Sequence, residues 1–184
     1  MAHYTSVWQQ VKQEMNTSAI IPRTAAANRW YGQVINRVRI PANRSNILND
    51  PSRATAHALI GRLYAFHYVP KGEDDLPQWD RFPLVLPMEI YPDGFLGINL
   101  HYLPPQQRLA LMEQLEDFLT NTRYDDSTRF QLSYSVLNGI KKYELFRPCI
   151  KRYLIEYQRS AMIYIEPDQW HLACLLPFER FYYN

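Results

Sequence analysis

The segment WDRFPLVLPMEIYPDGFLGINLHYL, residues 79–103, holds four side chains able to exchange protons: Asp80, Glu89, Asp93 and His101. General acid–base chemistry needs such groups to converge on one substrate position within hydrogen-bond reach. Their surroundings point elsewhere. Glu89 and Asp93 flank the turn YPDG, where carboxylates serve turn geometry and solubility, and Asp80 beside Arg81 reads as a turn or a local ion pair. A nuclease built on these four would gather carboxylates around Mg²⁺. That is the last of three functional readings, and the expectation is that the chain is not an enzyme and has no catalytic residues.

Other chemical patterns are equally thin. His67 and His101 lie late in two expected strands and could be sheet neighbours, but a metal site needs further carboxylate or thiolate ligands, and neither H-E-x-x-H nor C-x-x-C occurs. No metal and no cofactor is expected. Cys174 opens C-L-L-P-F-E-R, which has the nucleophile-to-arginine spacing of cysteine phosphatases. Such a loop must offer backbone N–H groups to phosphate; Pro177 has none and Glu179 would repel the anion. Walker, Rossmann and G-x-S-x-G motifs are absent, so no small-molecule substrate is expected.

Two groups of cations fit binding better than catalysis. Lys141, Lys142, Arg147, Lys151 and Arg152 bracket Tyr143, Phe146 and Tyr153, and cations interleaved with aromatics suit nucleic-acid contact. Read as a helix after Pro148, CIKRYLIEYQRS would instead place Lys151 and Arg152 on an ordinary solvated face. The second group is N-terminal. Residues 1–62 carry eight Lys or Arg against two carboxylates, net +6, whereas the whole chain is +2. A basic arm on a mildly acidic body suits phosphate contact or docking on an acidic neighbour.

The elements that must position these groups follow from periodicity. Residues 4–15 and about 24–39 have helical apolar spacing, Thr24 serving as N-cap, and Pro41 stops the second helix. Trp8, Arg29, Trp30, Tyr31, Arg37 and Arg39 are the expected partner-facing residues of this arm, residues 1–60. From residue 61 a compact α+β domain is expected to run to residue 184, with a small antiparallel sheet and packed helices. In LYAFHYV, Tyr64, Phe66 and Tyr68 share one face, and Leu63, Ala65, His67 and Val69 the other. PKGEDDLPQWDRF reads as a loop. PLVLPMEIY and GFLGINLHYL read as strands joined by YPDG, and Pro83 and Pro87 predict an edge position or a late start. QQRLALMEQLEDFL is a helix opened by prolines, FQLSYSVL fits a strand or a short helix, AMIYIE is a strand, and Pro167 begins a helix over DQWHLACLL.

Fourteen tyrosines, eight phenylalanines and four tryptophans supply ring area for cores and interfaces alike. Two cysteines make no disulfide framework, which favours a reducing compartment. No apolar run reaches the roughly 18 residues of a membrane span and no signal-peptide pattern is present; no membrane partner is expected.

Residues 62–181 also carry larger blocks. LYAFHYVPKGEDDLPQWDRFPLVLPMEIYPDGFLGINLHYLPPQQR, then SYSVLNGIKKYELFRPCIKRYL and EPDQWHLACLLPFERF, resemble a group of small virion or assembly proteins of T-even-like tailed bacteriophages. The group includes DNA end protectors and head-completion or structural proteins. The resemblance implies a non-enzymatic component of a contractile-tailed phage virion at the tail, baseplate or neck, made in the host cytoplasm and held by contacts with other phage structural proteins. The alternative it implies is a DNA end protector that binds the packaged genome end. It transfers no catalytic residue.

Overall fold

A computed structural model describes residues 48–175 and 181–183, together with the isolated positions Ala26, Arg29 and Gln33, which are helical and exposed. The strands are β1 (Ala54–Thr55), β2 (Leu63–Ala65), β3 (Gln78–Asp80), β4 (Leu84–Tyr91), β5 (Gly94–Asn99), β6 (Ile150–Leu154), β7 (Met162–Ile165) and β8 (Phe181–Tyr183). The helices are α1 (Pro105–Thr120), α2 (Asp126–Ile140) and α3 (Trp170–Leu175). Six strands form one sheet in the order β1-β7-β2-β4-β5-β6, and β3 pairs with β8 in a second. All these pairings are antiparallel, and the fold is α+β as expected. No helix among the described residues is long and apolar enough to cross a membrane.

Strand alternation sorts side chains between two faces of the large sheet. Leu63, Ala65, Leu84, Leu86, Met88 and Ile98 join Leu109, Met112 and Leu115 of α1, Leu137 of α2 and Trp170 of α3 in one apolar layer. On the other face Tyr64, Phe66, Tyr68, Val85, Phe95 and Tyr153 make a mostly aromatic layer. The β2 alternation read from LYAFHYV therefore holds, although the paired strand stops at Ala65.

Helix α1 starts at Pro105, whose missing N–H costs nothing in a first turn. FQLSYSVL resolves as helix: Asp125 caps α2 by accepting from Thr128 N–H at 2.7 Å, and Ser133, Leu137 and Ile140 are buried at helical spacing. Three expectations need correction. The segment after Pro148 is strand, not helix. A 3₁₀ turn over Glu144–Cys149 delivers Ile150–Leu154 to the open edge of β5, and that ladder overrides helical spacing. Pro87 lies in an interior strand, tolerated because the β4–β5 register shifts between Pro87 and Glu89; Pro83 immediately precedes the start of β4. The expected loop 70–82 contains β3, whose partner Phe181–Tyr183 lies a hundred residues away in the chain. Beyond YPDG, Gly94 has φ +155° and a Cβ there would lie 1.9 Å from the Tyr153 carbonyl oxygen, so the turn requires glycine.

Candidate functional site

The four candidate proton-transfer groups occupy three separate places. Asp80, at the end of β3, and His101, in a 3₁₀ turn after β5, are both buried, with His101 Nδ1 2.7 Å from Asp80 Oδ2. A carboxylate only accepts, so Nδ1 carries the proton. Asn99 Nδ2 donates to the same oxygen at 3.0 Å, Phe82 N–H donates to Oδ1 at 3.1 Å, and His101 N–H donates to Asn99 Oδ1 at 3.0 Å. Burial alone would raise the Asp80 pKa. The His101 charge and hydrogen bond, with those from Asn99 and Phe82, outweigh it and hold the carboxyl below its ordinary value. Asp80 is thus partnered with His101 rather than with Arg81. Glu89 meets Lys141 and the Tyr91 hydroxyl, and Asp93 meets Arg152.

The two histidines are not a pair. His67 Nε2 accepts from Arg81 Nε at 2.8 Å, while His101 is held by Asp80. Burial first, then the charges of Arg81 and Arg159, lower the His67 pKa, which fits a neutral acceptor ring. Among the described residues no three His, Cys, Asp or Glu gather as a metal site. Cys149 and Cys174 are buried and in no disulfide, and burial pushes the Cys174 thiol up to about 12, so it is no thiolate nucleophile at neutral pH.

The five cations near residues 141–152 are divided by the sheet. Lys141 is turned toward Glu89 of β4. Lys142 and Arg147 are exposed in the connection from α2 to β6. Lys151 and Arg152 lie on β6 beside a cavity of about 160 Å³, but on opposite faces: Lys151 shares the aromatic face with Tyr153, and Arg152 shares the face of Glu89 and Lys141. The Lys151 ammonium sits 4.4 Å from the Tyr102 ring centroid. The Arg152 guanidinium sits 4.3 Å from that of Tyr91 and also reaches Asp93. Of the residues expected on the arm, only Arg29 is described, as an exposed helical position; Trp8, Trp30, Tyr31, Arg37 and Arg39 lie outside the described residues.

The cavity brings together residues that sequence spacing left scattered. Trp79 of β3 stacks on Tyr182 of β8 with centroids 4.8 Å apart and planes 12° from parallel. Tyr153 packs edge-on against Phe66 and Tyr68 and stacks on Phe95. Burial first, then the Asp80 charge, drive the Tyr153 phenol well above its ordinary pKa, and its hydroxyl shares a hydrogen bond with Asn99. Tyr153, Asn99, Asp80 and His101 therefore form one buried polar chain, and the first three line the cavity. Asn99 had one sequence signal: it continues the Phe95–Gly97 alternation and is polar where the pattern calls for apolar. Trp79 had none, because its strand exists only through β8.

The family model for the Phage T4 terminal DNA protecting protein matches residues 5–184. The chain belongs to that family. The match extends beyond residues 62–181 to take in nearly all of the basic N-terminal segment as well. No curated protein and no solved structure matches the chain.

Proposed function

We propose that this chain binds the end of linear phage DNA and shields it, without chemistry of its own. Family membership across residues 5–184 carries this reading; terminal DNA is what the family's description names, which supports end binding more than a tail or baseplate role. The geometry agrees with a binding protein. Glu89 and Asp93 are engaged by cations, Asp80 is enclosed in internal hydrogen bonds, and the Cys174 thiol is buried. Lys151 and Arg152 beside tyrosine rings offer both charge for phosphate and area for stacking, and Lys142 and Arg147 extend the cationic stretch. On this reading the protein is made in the host cytoplasm and accompanies the genome into the particle.

A second reading, a virion component held by protein contacts, draws on one feature. Phe130 and Tyr134 on α2 are exposed, with ring centroids 6.3 Å apart and planes nearly parallel, the kind of aromatic surface that interfaces use.

An exonuclease challenge separates the two. Linear duplex preincubated with the full chain should survive digestion at its ends, and the survival should fade with added salt. Digestion at the unprotected rate, with the protein instead recovered on tail or neck proteins, would favour the second reading.

A further inference from the structure

The cavity beside β3 has an unusual order of charge. Its deepest residues are Asp80, Asn99 and Tyr153, each no more than 5 % exposed, and they present a carboxylate and an amide. Lys151 stands nearer the surface with its ammonium over Tyr102, which also lines the cavity. Trp79 and Tyr68 complete an aromatic wall. Two ligand classes fail on this arrangement. A free phosphate entering the floor meets the ionised Asp80, and a simple organic cation must pass Lys151.

What fits is a neutral ring with hydrogen-bonding edges, attached to an anion that stays outside. Size narrows this further. A cavity of about 150 Å³ holds one benzene-sized guest, so the 160 Å³ here suits a single heterocycle and not a base pair. From these features we infer that the cavity takes one unpaired nucleobase from the DNA terminus. Its rings lie among Trp79, Tyr68 and Tyr102, its edge meets Asn99 and Asp80, and Lys151 shifts from the Tyr102 face to the adjoining phosphate.

The inference rests on the end-binding reading and specifies how an end differs from interior duplex. Extruding a base costs least where it is already unpaired, and a terminal pair has a neighbour on one side only. A protein that holds one frayed base distinguishes ends from continuous duplex without reading sequence.

The test uses the full chain and hairpin DNA with one open end. Three forms are compared: fully paired, mismatched at the last pair, and mismatched in the interior. The terminal mismatch should bind about tenfold more tightly than the paired end, because unpairing is already done and stacking is retained; the interior mismatch should bind like the paired form. Gln78, half-buried at the cavity wall on β3, gives a blocking variant. Gln78→Trp, with its melting curve checked against wild type, should remove the advantage of the terminal mismatch.

Equal affinities for all three hairpins, each exceeding that of a closed dumbbell, would overturn the base pocket and leave end binding intact. Binding no better than to a dumbbell would remove the end-binding reading. Deoxynucleoside 5′-monophosphates then decide the pocket alone. Shifts of the Trp79 indole N–H in an NMR titration would uphold it, and an unperturbed Trp79 signal would eliminate it.

Discussion

The two faces of the large sheet are built from the same strands but solve different problems. The helix-covered face is aliphatic, and Leu63, Leu84, Leu86 and Ile98 are fully buried there beneath α1, α2 and α3. The opposite face buries tyrosine and phenylalanine instead, and at the β5–β6 end it gives way to the Asp80–His101–Asn99–Tyr153 chain and a cavity. An aliphatic layer gains from filling volume and has no preferred partner. A buried polar chain instead fixes side chains in one geometry. The first face holds the domain together, and the second presents a shaped surface.

Substitutions can break this contrast. Met112, fully buried between α1 and the sheet, should cost about 3 kcal/mol as Met112→Ala, read by denaturant unfolding. DNA binding by the fraction that remains folded should be unchanged. Asp80→Asn keeps the shape but removes the charge facing His101, and should cost about 2–3 kcal/mol. Unlike Met112→Ala, it should also weaken end binding in the folded protein, since Asp80 lines the cavity. If Asp80→Asn affected stability only, the two faces would be equivalent.

Lys151→Gln sharpens the contrast from the other side. Stability should change by less than about 0.5 kcal/mol, while the dependence of DNA affinity on salt should become shallower by about one phosphate contact. The smallest effect concerns His67. Its pKa is lower in the folded chain than the ordinary 6.5, so the folded state binds fewer protons near that pH. The stabilisation is complete above 6.5 and is lost as pH falls through the folded value. His67→Gln should flatten the fall in Tm between pH 7.5 and 5.5 by about 2 °C or less, because the site is only partly buried.

The sequence made the helix-covered face easy to read and the other face hard. Alternation in LYAFHYV, the YPDG turn and the stripe of α1 are local signals, and each element formed close to where they put it. The β6 strand was hidden because Ile150–Leu154 alternates only weakly and owes its form to the β5 edge. The cavity was harder still. Trp79, Asn99, Tyr102 and Tyr153 come from four segments, and the β3–β8 pairing that places Trp79 joins residues far apart in the chain. The five cations were visible as a cluster, yet chain proximity did not show that the sheet would separate Lys151 from Lys141 and Arg152.

Photocrosslinking measures most directly which face meets DNA. With 5-iodo-deoxyuridine as the last nucleotide of an open-ended hairpin, crosslinked peptides from the full chain are mapped by mass spectrometry. Crosslinks at Trp79, Tyr102 or Tyr68 are the predicted result. Crosslinks concentrated at Phe130 and Tyr134 on the helical side, or equal yields from an interior label, would contradict it.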